Sequence, residues 1–119
     1  MTRTALDFLA DIRDAASKAQ TFVAGMSYPQ FVADTKTAFA VVRALEIVGE
    51  AAKRIPPDVR QRAPDVPWRA MAGIRDKLIH DYVSVDPEIV WRTVGEDLPG
   101  LETQIDRLLQ ALSPNQSAG

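Results

Sequence analysis

The chain has 119 residues, 46% of them hydrophobic and 25% charged, with a formal net charge of −2. That balance suits one folded domain and excludes a disordered chain, two separate cores, and a protein drawn to nucleic acid by its overall field. There is no cysteine and a single histidine, His80, which excludes disulfides, a thiolate nucleophile, sulfur-ligated zinc and a multi-histidine metal site within one chain.

The opening residues, Met1-Thr2-Arg3-Thr4-Ala5-Leu6-Asp7, meet an acid before any apolar stretch develops. No signal peptide is expected, and no run of about 18 apolar residues exists to span a membrane. A soluble, cytoplasmic protein is the expectation.

From Thr4 to about Ala24, Leu6, Leu9, Ile12, Ala16, Ala19 and Val23 recur at three- and four-residue steps, which predicts a first helix with Gly25 as its stop. Ser27 and Gln30 match a capping box, with Pro29 tolerated in the first turn. A second helix is predicted from there to about Arg54, and Asp34-Thr35 offers a second start within it. Its stripe is Phe31, Ala38, Val42, Leu45, Val48 and Ala52. Gly49 would admit another backbone, and Glu50 could pair with Arg54 one turn on.

Residues 56–67 hold four prolines and read as a connector with one short helical turn at Pro57–Arg62. A third helix is predicted from Pro67 to about His80, with Trp68, Met71, Arg75, Leu78 and Tyr82 on one face. Asp86-Pro87 provides a cap and first turn for a fourth helix. There Trp91, Val94, Leu98, Leu101, Ile105, Leu108 and Leu112 alternate steps of three and four, with a kink expected at Pro99. The fold class predicted is all-α: an antiparallel bundle of four to five helices over residues 1–112, with a frayed tail at 113–119.

The side chains with chemistry to offer gather in Gly73-Ile74-Arg75-Asp76-Lys77-Leu78-Ile79-His80-Asp81-Tyr82. Asp76 and His80 are four apart, so the carboxylate can bond one ring nitrogen and stabilise the charged imidazole. An imidazole tuned near neutrality accepts and donates protons at working pH. Arg75 lies five residues before His80, about 140° around a regular helix, so the two would not converge within one straight helix. Either the helix distorts near His80 or the site is assembled from two chains across a two-fold axis. The bland readings stand beside these. A lone histidine near a helix end is usually a cap or surface residue, and Arg75 could simply pair with Glu46 or Glu50 on the second helix.

Charge is unevenly spread. Residues 53–80 hold seven Lys and Arg against three Asp, a net of +4, and the rest of the chain is −6. This can make a local anion-binding surface or merely a solvated face.

Arg75-x4-His80-x-Tyr82 resembles the signature of HEPN domains of the HepT toxin-like branch, and Asp76 directly after the arginine also fits. Leu45-Glu46-Ile47-Val48-Gly49-Glu50-Ala51-Ala52, Pro67-Trp68, Val85-Asp86 and Asp97-Leu98-Pro99-Gly100-Leu101 resemble that branch in the same order. The resemblance implies a HEPN-like helical bundle that forms a homodimer, with Arg75 and His80 as catalytic residues in the dimer cleft and Asp76 in support. It implies a metal-independent endoribonuclease with no cofactor, the toxin of a type VII-like toxin–antitoxin pair. Its partners would be RNA and a minimal nucleotidyltransferase antitoxin that transfers AMP from ATP to Tyr82. The alternative expectation is a non-catalytic helical module that binds such a nucleotidyltransferase. A purely structural helical dimer is the third.

Overall fold

A computed structural model describes residues 2–78 and 85–113. These residues are organised in helices: α1 (Ala5–Val23), α2 (Tyr28–Ala33), α3 (Thr35–Lys53), α4 (Pro57–Arg60), α5 (Trp68–Ala72), α6 (Ile74–Leu78), α7 (Pro87–Arg92), a π-helical turn (Thr93–Asp97) and α8 (Leu98–Leu112). The all-α class expected from the periodicity is what they show. Of the expected tail, only Ser113 is among the described residues.

Side-chain caps fix where the helices begin. Thr4 and Asp7 form a reciprocal capping box at α1, and Ser27 and Gln30 form another at α2. Asp34 accepts from the Thr37 N–H at 3.0 Å and ends α2 as it starts α3, so the break offered by Asp34-Thr35 is present. Asp86 accepts from the N–H groups of Glu88 and Ile89 to start α7. Bonds from the Thr4 backbone N–H to Asp7, and from the Thr37 backbone N–H to Asp34, hold both carboxyls below the ordinary value of 3.8. Their contribution is therefore complete above that value and is lost as pH falls through the lowered ones. Gly25 follows α1 with φ +79°, a conformation glycine adopts without a Cβ penalty.

The helix α1 lies between α3 and α8 and runs antiparallel to both. Gln20 meets Glu102 at 3.4 Å and Arg13 meets Asp106 at 3.6 Å, so the ascending order on α1 matches a descending order on α8. One apolar cluster joins all three long helices: Leu9, Ile12 and Ala16 from α1, Val41, Leu45 and Val48 from α3, and Leu98, Ile105 and Leu108 from α8. Tyr28 and Phe31 pack on Trp91, with ring centroids 5.9 and 5.4 Å away, and tie α2 to α7.

Three expectations change in detail. The third helix is interrupted at Gly73, which separates α5 from α6. The fourth is divided by the π-helical turn, in which the Leu98 N–H reaches the carbonyl of Thr93. Pro99 has no N–H to give the Gly95 carbonyl, and the widened turn lets it fall in the first turn of α8, where that N–H has no intrahelical partner. Glu50 pairs with Lys53 at 3.5 Å, not with Arg54.

At Gly49 the α5–α6 pair approaches α3 closely. A Cβ there would lie 2.8 Å from Ile74 Cγ2 and 3.1 Å from the Met71 carbonyl oxygen. The expectation that this glycine admits another backbone is met. Gly49→Ala should therefore destabilise the protein by about 1–3 kcal/mol in urea unfolding, because overpacking against a backbone oxygen outweighs the helix-propensity gain of about 1 kcal/mol. A variant as stable as wild type would show that α6 can slide away at no cost.

Candidate functional site

On α5 and α6, Trp68, Met71, Ile74 and Leu78 are buried. The predicted apolar face carried Arg75 in the place that Ile74 takes. The reason is solvation: an unpaired guanidinium cannot enter an apolar core cheaply, whereas the isoleucine beside it fits the space above Gly49. Arg75 thus points outward, with a side chain 65% exposed. Asp76 and Lys77 are exposed on the same short helix.

Across from Arg75 stands Glu46 on α3, its side chain only 28% exposed, with Oε2 4.0 Å from Arg75 Nε. Of the two acids named as possible partners, Glu46 is the one that faces it. The separation is beyond hydrogen-bond range. Among the described residues, no hydrogen bond engages the Arg75 guanidinium, and its donor fork stays open to an anion.

His80 and Tyr82, and with them the Asp76–His80 pairing, lie outside the described residues. The frame on either side of them is described. Leu78 is fully buried, and its carbonyl accepts from the Asp86 N–H at 3.1 Å. Leu78 and Asp86, on either side of residues 79–84 in the sequence, are therefore joined directly.

The other cations of the basic stretch divide by role. Arg60 gives its Nε to the Ile55 carbonyl at 2.9 Å and its Nη2 to the Ala52 carbonyl at 2.8 Å, satisfying the end of α3. Its guanidinium also lies 6.0 Å from the Trp68 ring. Arg60 belongs to the packing, not to an anion surface. Arg54, Arg62, Arg69 and Lys77 are exposed. Lys77 borders a groove of about 720 Å³ between α5–α6 and α8, lined also by Arg107, Gln104, Asp65, Glu96 and Asp97. Sequence reasoning did not find this groove, because its walls are some forty residues apart along the chain and share no motif. Its charges are mixed, so it makes no field of one sign.

Among the described residues, no group of His, Cys, Asp and Glu is arranged to hold a metal ion. Among them, too, no helix is long and apolar enough to cross a membrane.

An all-α protein with an outward arginine beside a half-buried glutamate, a few residues before a histidine and a tyrosine in the sequence, is the class these features define. The family model described as ribonuclease HepT-like matches residues 12–108, and the chain belongs to that family. It is 46% identical over 108 residues to "Probable ribonuclease HepT" of Thermococcus cleftensis, covering 91% of this chain and 98% of that one. It is 46% identical over 88 residues to "Putative RNase TTE0752" of Caldanaerobacter subterraneus, covering 74% and 79%. To "Putative RNase MJ1216" of Methanocaldococcus jannaschii it is 38% identical over 103 residues, covering 87% and 85%. No solved structure matches.

The two arginines should separate in a stability measurement. Arg60→Ala removes the Ile55 carbonyl's donor and one of the donors to the Ala52 carbonyl, and should cost about 1–3 kcal/mol. Arg75→Ala should change stability by no more than about 0.5 kcal/mol, as for other exposed side chains. Equal losses in urea unfolding would show that Arg75 is a packing residue.

Proposed function

We propose that this chain is a metal-independent RNA endonuclease, the toxin of a type VII-like toxin–antitoxin pair, working as a cytoplasmic homodimer. The observation that carries the reading is Arg75. In a chain that belongs to the ribonuclease HepT-like family, the motif arginine is exposed and no hydrogen bond engages its guanidinium among the described residues.

The chemistry follows from the groups in Arg75-x4-His80-x-Tyr82. Neutral His80 takes the proton of a ribose 2′-hydroxyl, and the 2′-oxygen forms a bond to the adjacent phosphorus. Arg75, always charged, binds the phosphate and stabilises the charge that builds in the transition state. The bond from phosphorus to the 5′-oxygen breaks, and a protonated His80, from the partner subunit, gives that oxygen its proton. One product carries a 2′,3′-cyclic phosphate and the other a 5′-hydroxyl. Asp76 supports the histidine by favouring its charged form. RNA affinity draws on local cations, since the chain as a whole is acidic; Arg54, Arg62, Arg69 and Lys77 are exposed for it.

The seam we assign to the dimer is the face around Phe39. That ring is 74% exposed and Val32 is 48% exposed. They flank an apolar groove of about 230 Å³ that takes in Val42 and Val85. Val42 is one turn before Glu46 and Val85 directly follows residues 79–84, so a second copy seated there would meet the first beside Arg75.

The test is RNA digestion in EDTA. The wild type cuts, and His80→Ala abolishes cutting without loss of helicity. In sedimentation the wild type runs at twice the chain mass, and Phe39→Glu runs as a monomer that does not cut. Equal cutting by wild type and His80→Ala, each free of contaminating nuclease, removes the proposal.

Control by the partner has its own readout. Incubation with a minimal nucleotidyltransferase and ATP should raise the mass by one or more AMP units on Tyr82 and stop cutting, because bulk and negative charge then sit two residues from His80. Tyr82→Phe should keep its mass and its activity. A tight complex with no mass change and no cutting would instead point to the interaction module.

A further inference from the structure

We infer that Glu46 is a positioning residue for Arg75: it holds the guanidinium in place by charge while leaving all of its hydrogen-bond donors open to a phosphate. The inference rests on the reading of Arg75 as the phosphate-binding group of an RNA endonuclease.

The separation is the first observation. At 4.0 Å the carboxylate attracts the guanidinium without taking an N–H. Arg60 shows the other outcome in the same protein, with two donors bound to carbonyls at 2.9 and 2.8 Å. Arg60 has its donors committed to the backbone, and among the described residues Arg75 has none so committed.

The second observation is where Glu46 is held. It stands on α3 one turn before Gly49, and the residue that packs over Gly49 is Ile74, the immediate neighbour of Arg75. One junction therefore sets both the approach of α6 to α3 and the gap between the two charges. Glu46 is the more buried member of the pair, so the carboxylate is the fixed post and the long, exposed arginine is the part that is steered. Glu50, the next acid along α3, is occupied with Lys53.

A carboxylate in this position acts in two directions. It orients the guanidinium, and it repels an incoming phosphate. Removing its charge should strengthen ground-state RNA binding and loosen the geometry that the transition state needs. The signature is a fall in KM together with a fall in kcat. A salt bridge that only stabilised the fold would change the melting temperature and leave both constants per folded molecule alone.

The experiment uses the full chain and a short fluorescent RNA in EDTA, with Glu46→Gln, Glu46→Asp, Arg75→Lys and the Arg75→Lys/Glu46→Gln double variant. Glu46→Gln should lower kcat by about five-fold, the upper end for a single exposed ion pair, and lower KM as well. Glu46→Asp keeps the charge and should recover part of kcat. In the Arg75→Lys background, Glu46→Gln should cost less than it does in the wild type, since the two residues act as a unit. Unchanged constants in Glu46→Gln, a raised KM, or fully additive effects would each overturn the inference while the nuclease reading stands. A wild type that cuts no RNA overturns that reading and takes this inference with it.

Discussion

The missing side chain at Gly49 governs the geometry of the site. Because nothing projects there, Ile74 seats against the backbone of α3 and brings α6 with it. Arg75 follows Ile74 and so has its place decided by an apolar contact. The magnitudes support this order. Burying an isoleucine is worth about 1.5–3 kcal/mol, whereas an exposed ion pair is worth roughly 0–1 kcal/mol. Packing locates the residue, and the Glu46 carboxylate acts only on what remains free, the direction of a long side chain.

The same division of labour explains why seven cations between residues 53 and 80 do not make one surface. The chain must end α3 and turn back toward α5, and the turn at Pro57–Arg60 returns Arg60 to the carbonyls of Ala52 and Ile55 at the end of α3. Trp68 gives its Nε1–H to the Ala63 carbonyl and closes the connector from the other side. The prolines therefore do more than break helices. They build a compact elbow, and one arginine is consumed in holding it. The cations left outside it are the ones free to meet an anion.

Much of this frame was legible in the sequence because it depends on local rules. The capping boxes at Thr4 and Ser27, the restart at Asp34 and the Asp86-Pro87 opening of α7 each need only neighbours three residues away. The stripe from Val94 to Leu108 reads directly as buried surface. What could not be read were choices between near-equal neighbours. Ile74 and Arg75 both continue the Trp68–Met71 face at helical spacing, and only the space above Gly49 decides which one is buried. Glu46 and Glu50 were equal candidates for Arg75 until the tilt of α6 against α3 was known. Pro99 signalled a disturbance, but its form, a widened turn ahead of the proline, depends on how α7 and α8 both reach the core. The roles proposed for Arg75, His80 and Tyr82 rest on the ordered resemblance of several blocks, since spacing alone puts the arginine and the histidine on different sides of a helix.

The one straight helix expected from Pro67 to His80 is not what the described residues form. The structure ends α5 at Gly73, restarts a five-residue helix, and then joins the Leu78 carbonyl to the Asp86 N–H. Leu78 on one side and Val90 on the other are sunk in the core, and Asp86 caps the helix that carries Val90. Arg75 stands three residues before Leu78, pointed outward by its own helix and within the field of Glu46. A position fixed by core packing, combined with a guanidinium that no hydrogen bond engages among the described residues, is what a phosphate-binding arginine requires, and the bare backbone at Gly49 allows it.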